Sequence, residues 1–169
     1  MVGTMALVPQ VVDIVRVPVI AAGGVADGRG LVAALALGAQ GVLLGTRFVA
    51  TRESMAPEFY KKSLLEREAD ATIVTDAFTG QWARTLRNRF AVEYHATGAP
   101  TLPSLLQRAA ADDVFAASAK RDDGEFFPMY SGQSVGLVHN LPGAGEVVDE
   151  IIREARELLS ALPTRVTLA

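Results

Sequence analysis

The chain has 169 residues, 50% of them hydrophobic and 21% charged, and 16 Lys and Arg against 19 Asp and Glu leave a net charge of -3. That composition is globular; it excludes a disordered tail, a collagen-like chain or a coiled coil, and it carries no basic footprint for nucleic acid. With no cysteine, disulfides, thiolate chemistry and cysteine-based zinc sites are excluded.

Residues 6–16 have the spacing of a short amphipathic helix. Residues 18–22, Pro-Val-Ile-Ala-Ala, form a short apolar run of strand type, closed by Gly23 and Gly24. Asp27 suits an N-cap, and an Ala/Leu-rich helix over 31–37 ends at Gly38. A second apolar strand at 41–44 is closed by Gly45. Both strands are apolar on both faces, as expected of a parallel sheet covered by helices. Helix, strand, helix and strand at this spacing have βαβ texture.

The texture changes near Arg52. Beyond it, helices are expected over 55–69, 86–97, 104–119 and 147–161, with a short β-branched strand at 72–75 and a polar loop at 120–128. Two regions follow, an α/β segment of βαβ texture over 1–54 and a mainly helical region over 55–169. The apolar stretch 17–50 is broken by Asp27, Arg29 and Arg47, and no window reaches the roughly 20 apolar residues of a membrane span. Residues 1–6 lack a basic head and an apolar signal region. No membrane partner and a cytoplasmic location are expected.

The chemistry concentrates in two turns, Ala22-Gly23-Gly24-Val25-Ala26-Asp27-Gly28-Arg29-Gly30 and Leu44-Gly45-Thr46-Arg47-Phe48. Each follows an apolar strand and leads toward a helix. Glycine lets the backbone approach a phosphate and aim N–H groups at it. Thr46 adds a hydroxyl, and Arg47 would neutralise charge or hold an acidic loop. The bland alternative is a pair of tight βα turns. The first turn is not a G-x-G-x-x-G dinucleotide fingerprint. In (β/α)8 barrels, however, the loops after the last two strands commonly form a phosphate site.

These residues carry a resemblance. The run from Pro18 to Gly30, then 33–38, then Gly41-Val-Leu-Leu-Gly-Thr-Arg-Phe48 with Glu53-Ser54, closely resembles the nitronate monooxygenase family of 2-nitropropane dioxygenase-like flavoproteins. Thr4-x-x-Leu-Val-Pro9 resembles the stretch ahead of that family's seventh strand. Thr75-Asp-Ala-Phe-Thr-Gly80, Arg84, Leu86-Arg-Asn88 and the Gly-Gln run Tyr130-Ser-Gly-Gln-Ser-Val-Gly136 resemble its later segments. FMN-dependent enoyl-acyl-carrier-protein reductases share much of this pattern.

The resemblance implies the C-terminal portion of an FMN-binding (β/α)8 barrel, its last two strands, followed by a mainly helical region. Gly24, Leu43, Leu44, Gly45 and Thr46 would contact FMN, Gly23 would shape the first turn, and Gln133 would lie near the same ligand. The implied reaction is oxidation of an alkyl nitronate with O2 to a carbonyl compound and nitrite. A complete barrel takes about 250 residues, and nothing here resembles the first six strands. Nothing matches the family's catalytic histidine either, so no catalytic residue is assigned and a truncated chain is expected. Three readings stand: a nitronate monooxygenase, an FMN-dependent enoyl reductase, and a non-catalytic fragment or interaction module. The last would self-associate or be completed by another chain.

Other candidates read as structural. His95 and His139 suit structural roles, and Trp82 a core or domain contact. The acidic run Asp122, Asp123 and Glu125 and the pair Asp112-Asp113 suit a solvated surface. Arg84, Arg87 and Arg89 suit local ion pairs or a small anion site.

Overall fold

A computed structural model describes residues 2–165. They divide into two compact units. One combines the residues up to Ser54 with those from Asn140 onward, and the other spans Met55–His139.

The first unit is built on a βαβ crossover. After α1 (Thr4–Val12) comes β1 (Ile20–Ala22), then α2 (Gly28–Ala36), then β2 (Gly41–Leu43), then the single turn α3 (Thr46–Val49). The two strands are parallel, with Ile20 opposite Gly41 and Ala22 opposite Leu43. The expected N-cap is present: Asp27 Oδ1 accepts from the N–H groups of Arg29 at 3.0 Å and Gly30 at 3.2 Å. Burial raises the Asp27 carboxyl, but the Arg29 side chain and these backbone donors outweigh it and hold the group below its ordinary value. At the other end, Gly38 adopts φ +92°. Ala39 N–H then reaches Ala34 O and Gly38 N–H reaches Leu35 O, which satisfies the last carbonyls of α2. A residue with a Cβ is strained in that left-handed conformation.

Val8, Ala21, Ala34 and Ala39 form the core of this unit, with Val12, Leu37 and Val42 packed against it. Small side chains bring α1 and α2 close to one face of the sheet. The other face is bare, with Ile20 53% and Leu43 62% exposed. The sequence predicts cover on both faces. In this unit only the face carrying Ala21 and Val42 is packed, because alternate residues of a strand point to opposite sides.

The C-terminal helix α7 (Ala144–Arg165) belongs here too. It packs along α2. Gly28 makes this possible: a Cβ there would stand 2.5 Å from the Ala155 nitrogen. Its N–H donates to Glu154 Oε2 at 2.8 Å. Residues from 140 onward, read from the sequence with 55–139, therefore cluster with the first 54, because the apolar stripe containing Val147, Ile151 and Ala155 is buried within this unit.

The second unit holds α4 (Glu58–Glu66), β3 (Thr72–Thr75), β4 (Ala83–Leu86), α5 (Arg89–Ala96) and α6 (Leu106–Lys120). β3 and β4 are antiparallel, from Thr72 opposite Leu86 to Thr75 opposite Ala83. Leu86, expected to open a helix, instead ends β4 and donates its N–H to Met129 O. The helix begins after Asn88, whose Oδ1 accepts from Ala91 N–H at 3.1 Å. Buried Asn88 also donates to Gly124 O and Phe127 O. Phe78, Ala91, Ala111 and Phe115 make the core, with Ile73, Phe90 and Tyr130 against it. Phe78 and Phe90 stack at 5.1 Å, and Phe115 meets Phe90 edge-on at 5.2 Å.

Candidate functional site

The parallel register decides where the two glycine turns lie. Ala22 and Leu43 are paired and both strands run the same way, so Gly23-Gly24 and Leu44-Gly45-Thr46 leave the same edge of the sheet. Adjacent strands are about 4.8 Å apart, which brings the two turns side by side.

Their backbones differ. Gly23 and Gly24 adopt φ +101° and +76°, conformations that favour glycine. At Gly23 an added Cβ would meet Thr4 Oγ1 at 3.2 Å. The Thr4 hydroxyl donates to Ala22 O at 3.3 Å and so braces the end of β1. Gly24 faces open space, with no atom within 4 Å of a Cβ. Gly45 likewise faces open space, but with an ordinary φ of -93°. Any residue could adopt the Gly45 backbone; glycine there removes bulk. Two adjacent turns with open approach to their backbones fit a phosphate group in size and donor chemistry. With four residues, α3 contributes backbone donors of a first turn rather than a sizeable macrodipole.

Of the other sequence candidates, Leu43 is exposed on the bare face of the sheet, Leu44 is half-buried and Thr46 is buried at the start of α3. Gln133 belongs to the second unit, where it is exposed and opens a 3-10 turn over Gln133–Leu137.

Arg47 does not take the second of its two expected roles. It is only 6% exposed and holds no acidic loop. Its Nη2 donates to Ala50 O at 3.0 Å and to Asn140 O at 2.9 Å. Burial lowers its pKa, opposed by the charge of Glu150 on α7. The sequence marked the residue but not its partners, since Asn140 is 93 positions away.

His95 makes the contacts of a structural residue. Exposed His95 shares a 2.7 Å hydrogen bond with Thr75 Oγ1, lies 3.9 Å from Asp76 Oδ1 and stacks against Trp82. His139 is exposed. Trp82 is 68% exposed, so of the two roles expected, core or domain contact, the core one does not hold; it lies in the turn before β4 with His95 as its ring neighbour. Arg84 donates to Thr72 Oγ1 and Arg89 pairs with Glu93, local contacts as expected. Among the described residues no group of three or more acidic or histidine side chains could hold a metal ion. No described helix is long and apolar enough to cross a membrane.

A βαβ unit with two glycine turns at one sheet edge is the architecture of part of a (β/α)8 barrel, the α/β class predicted. Comparison with known proteins specifies the family. The nitronate monooxygenase family model matches residues 1–154, and the chain belongs to that family. A Staphylococcus aureus (strain MSSA476) protein described as "Probable nitronate monooxygenase" is 40% identical over 161 residues, 94% of this chain and 44% of the relative. The chain thus spans less than half the length of that curated relative. A nitroalkane oxidase from Streptomyces ansochromogenes superposes with a TM-score of 0.87 at 35% identity, over 95% of this chain and 46% of that one. FabK from Thermotoga maritima superposes with a TM-score of 0.81, also at 35% identity, over 98% and 53%.

Proposed function

We propose that this chain supplies the FMN-phosphate cradle of a nitronate monooxygenase. The observation that carries the reading is the register of β1 and β2, which sets Gly23-Gly24 beside Leu44-Gly45-Thr46. In this reading the N–H groups of the two turns bind the phosphate, and Gly24 and Gly45 admit it by lacking side chains. Leu43, beside them on the bare apolar face of the sheet, packs against FMN and excludes water. Bound FMN supplies the electron acceptor for oxidation of an alkyl nitronate, with O2 as the second substrate and a carbonyl compound and nitrite as products. Neither His95 nor His139 is assigned the proton-abstracting role.

The test is flavin content after incubation with FMN and gel filtration. The wild-type chain is expected to retain FMN. Gly24→Val should reduce affinity by at least about tenfold, because a β-branched residue is strained at positive φ. Unchanged flavin content in the variant would remove the cradle from the site. The likeness to FabK supports a second reading, FMN-dependent reduction of an enoyl thioester by a nicotinamide. Turnover of NAD(P)H with an enoyl thioester and none with nitronates would select it. A chain that retains no flavin would favour the non-catalytic module.

A further inference from the structure

We infer that Arg47 is a positioning residue for the phosphate turn, acting as a clamp that ties the turn to the C-terminal segment of the chain. The inference rests on the cradle reading and adds a residue that does not itself touch the ligand. Arg47 directly follows the Leu44-Gly45-Thr46 turn, and one guanidinium nitrogen serves two carbonyls, Ala50 O at the end of α3 and Asn140 O at the start of the returning segment. The C-terminal end of the single-turn helix is thereby tied to the returning segment through one buried group. Four residues cannot hold a helical turn unaided in water, so its geometry must come from outside.

The neighbouring contacts repeat the pattern. Arg52 N–H donates to Pro142 O at 3.0 Å, Ala144 N–H to Glu53 Oε2 at 2.9 Å, and Arg52 Nη2 pairs with Glu146 Oε1 at 2.8 Å. Glu146 also accepts from Gly143 N–H, capping α7. Residues 47–53 are therefore stitched to 140–146 from behind the turn. Of these links, Arg47 is the buried one and stands nearest the cradle. Its burial gives it little freedom to leave its two acceptors, and removing it would leave both without a charged donor.

The test measures binding of FMN and of riboflavin, which lacks the phosphate, to the full chain and to Arg47→Met and Arg47→Lys. Met keeps stem and bulk but no donor; Lys keeps a charged donor for the same two carbonyls. A clamp on the phosphate turn predicts an FMN dissociation constant raised about tenfold in Arg47→Met. Riboflavin binding should stay unchanged, and Arg47→Lys should recover most of the loss. An unaltered ratio of FMN to riboflavin affinity in Arg47→Met would overturn the inference. Amide hydrogen exchange on the flavin-free chains separates this from the cradle reading. If the wild type binds neither flavin, the cradle fails, and exchange alone decides the clamp. Faster exchange over 46–50 in Arg47→Met, with β1 and α2 unchanged, supports it; unchanged exchange there overturns it. Should Arg47→Met not fold, Arg47→Lys carries the same comparison, since its single ammonium should leave a smaller rise in FMN dissociation constant and in exchange over 46–50.

Discussion

The two units solve the problem of a small sheet in opposite ways. The second unit places aromatic bulk on its hairpin: Phe78, Phe90 and Phe115 interlock around Ala91 and Ala111. At a turning point it buries Asn88 with partners for both its side-chain oxygen and its nitrogen. The first unit packs one sheet face with alanines and valines and leaves Ile20 and Leu43 bare on the other. One sheet is filled for stability; the other keeps an apolar face and an open edge beside its glycine turns. If the turns hold FMN as proposed, resistance to unfolding and capacity to bind are divided between different parts of one chain.

The largest expected effect tests the filled core. Phe78→Ala should destabilise the second unit by about 3–5 kcal/mol, by lost transfer energy and a cavity among the rings. Thermal or urea unfolding followed by hydrogen exchange would localise the loss. Equal loss of protection in both units would break the division. Next, Asn88→Ala removes a helix cap and leaves Gly124 O and Phe127 O without their donor. About 2 kcal/mol is expected in denaturant titration, and a loss below 0.5 kcal/mol would mean water replaces the side chain.

Within the first unit, Asp27→Ala should cost about 1 kcal/mol near neutral pH through the cap of α2. The Asp27 carboxyl is held below its ordinary value. Its contribution is therefore present above about pH 4 and fades as pH falls through the lower, folded value. Wild-type and variant stabilities should converge in acid; a gap that is constant from pH 7 to pH 2 would contradict this. The smallest effect belongs to the bare face. Ile20→Lys should change stability by no more than about 0.5 kcal/mol, whereas Ala21→Lys, one residue along on the packed face, should unfold the unit.

Features specified locally were legible in the sequence. Asp27 announces a cap because two adjacent amides can reach its carboxylate, and Gly38 announces a stop because the helix end needs a left-handed residue. The two strands were readable as apolar runs between glycines. β4 was not: Ala-Arg-Thr-Leu has no strand pattern of its own and is extended because β3 and residues 129–131 pair with it. At the site, both turns were legible as glycine clusters. The burial of Arg47 was not, since its acceptors are backbone carbonyls that any residue provides.

The Gly28–Glu154 bond joins positions 126 residues apart, and that separation has a consequence for synthesis. About 90 residues separate Ser54 from α7, so at roughly 5–20 residues per second the first unit waits about 5 to 20 seconds for its last helix. The whole of the second unit emerges in that interval and has its full sequence before its neighbour does. Nascent chains therefore carry an exposed α2 surface throughout this window, which is the stage at which a chaperone has most to protect.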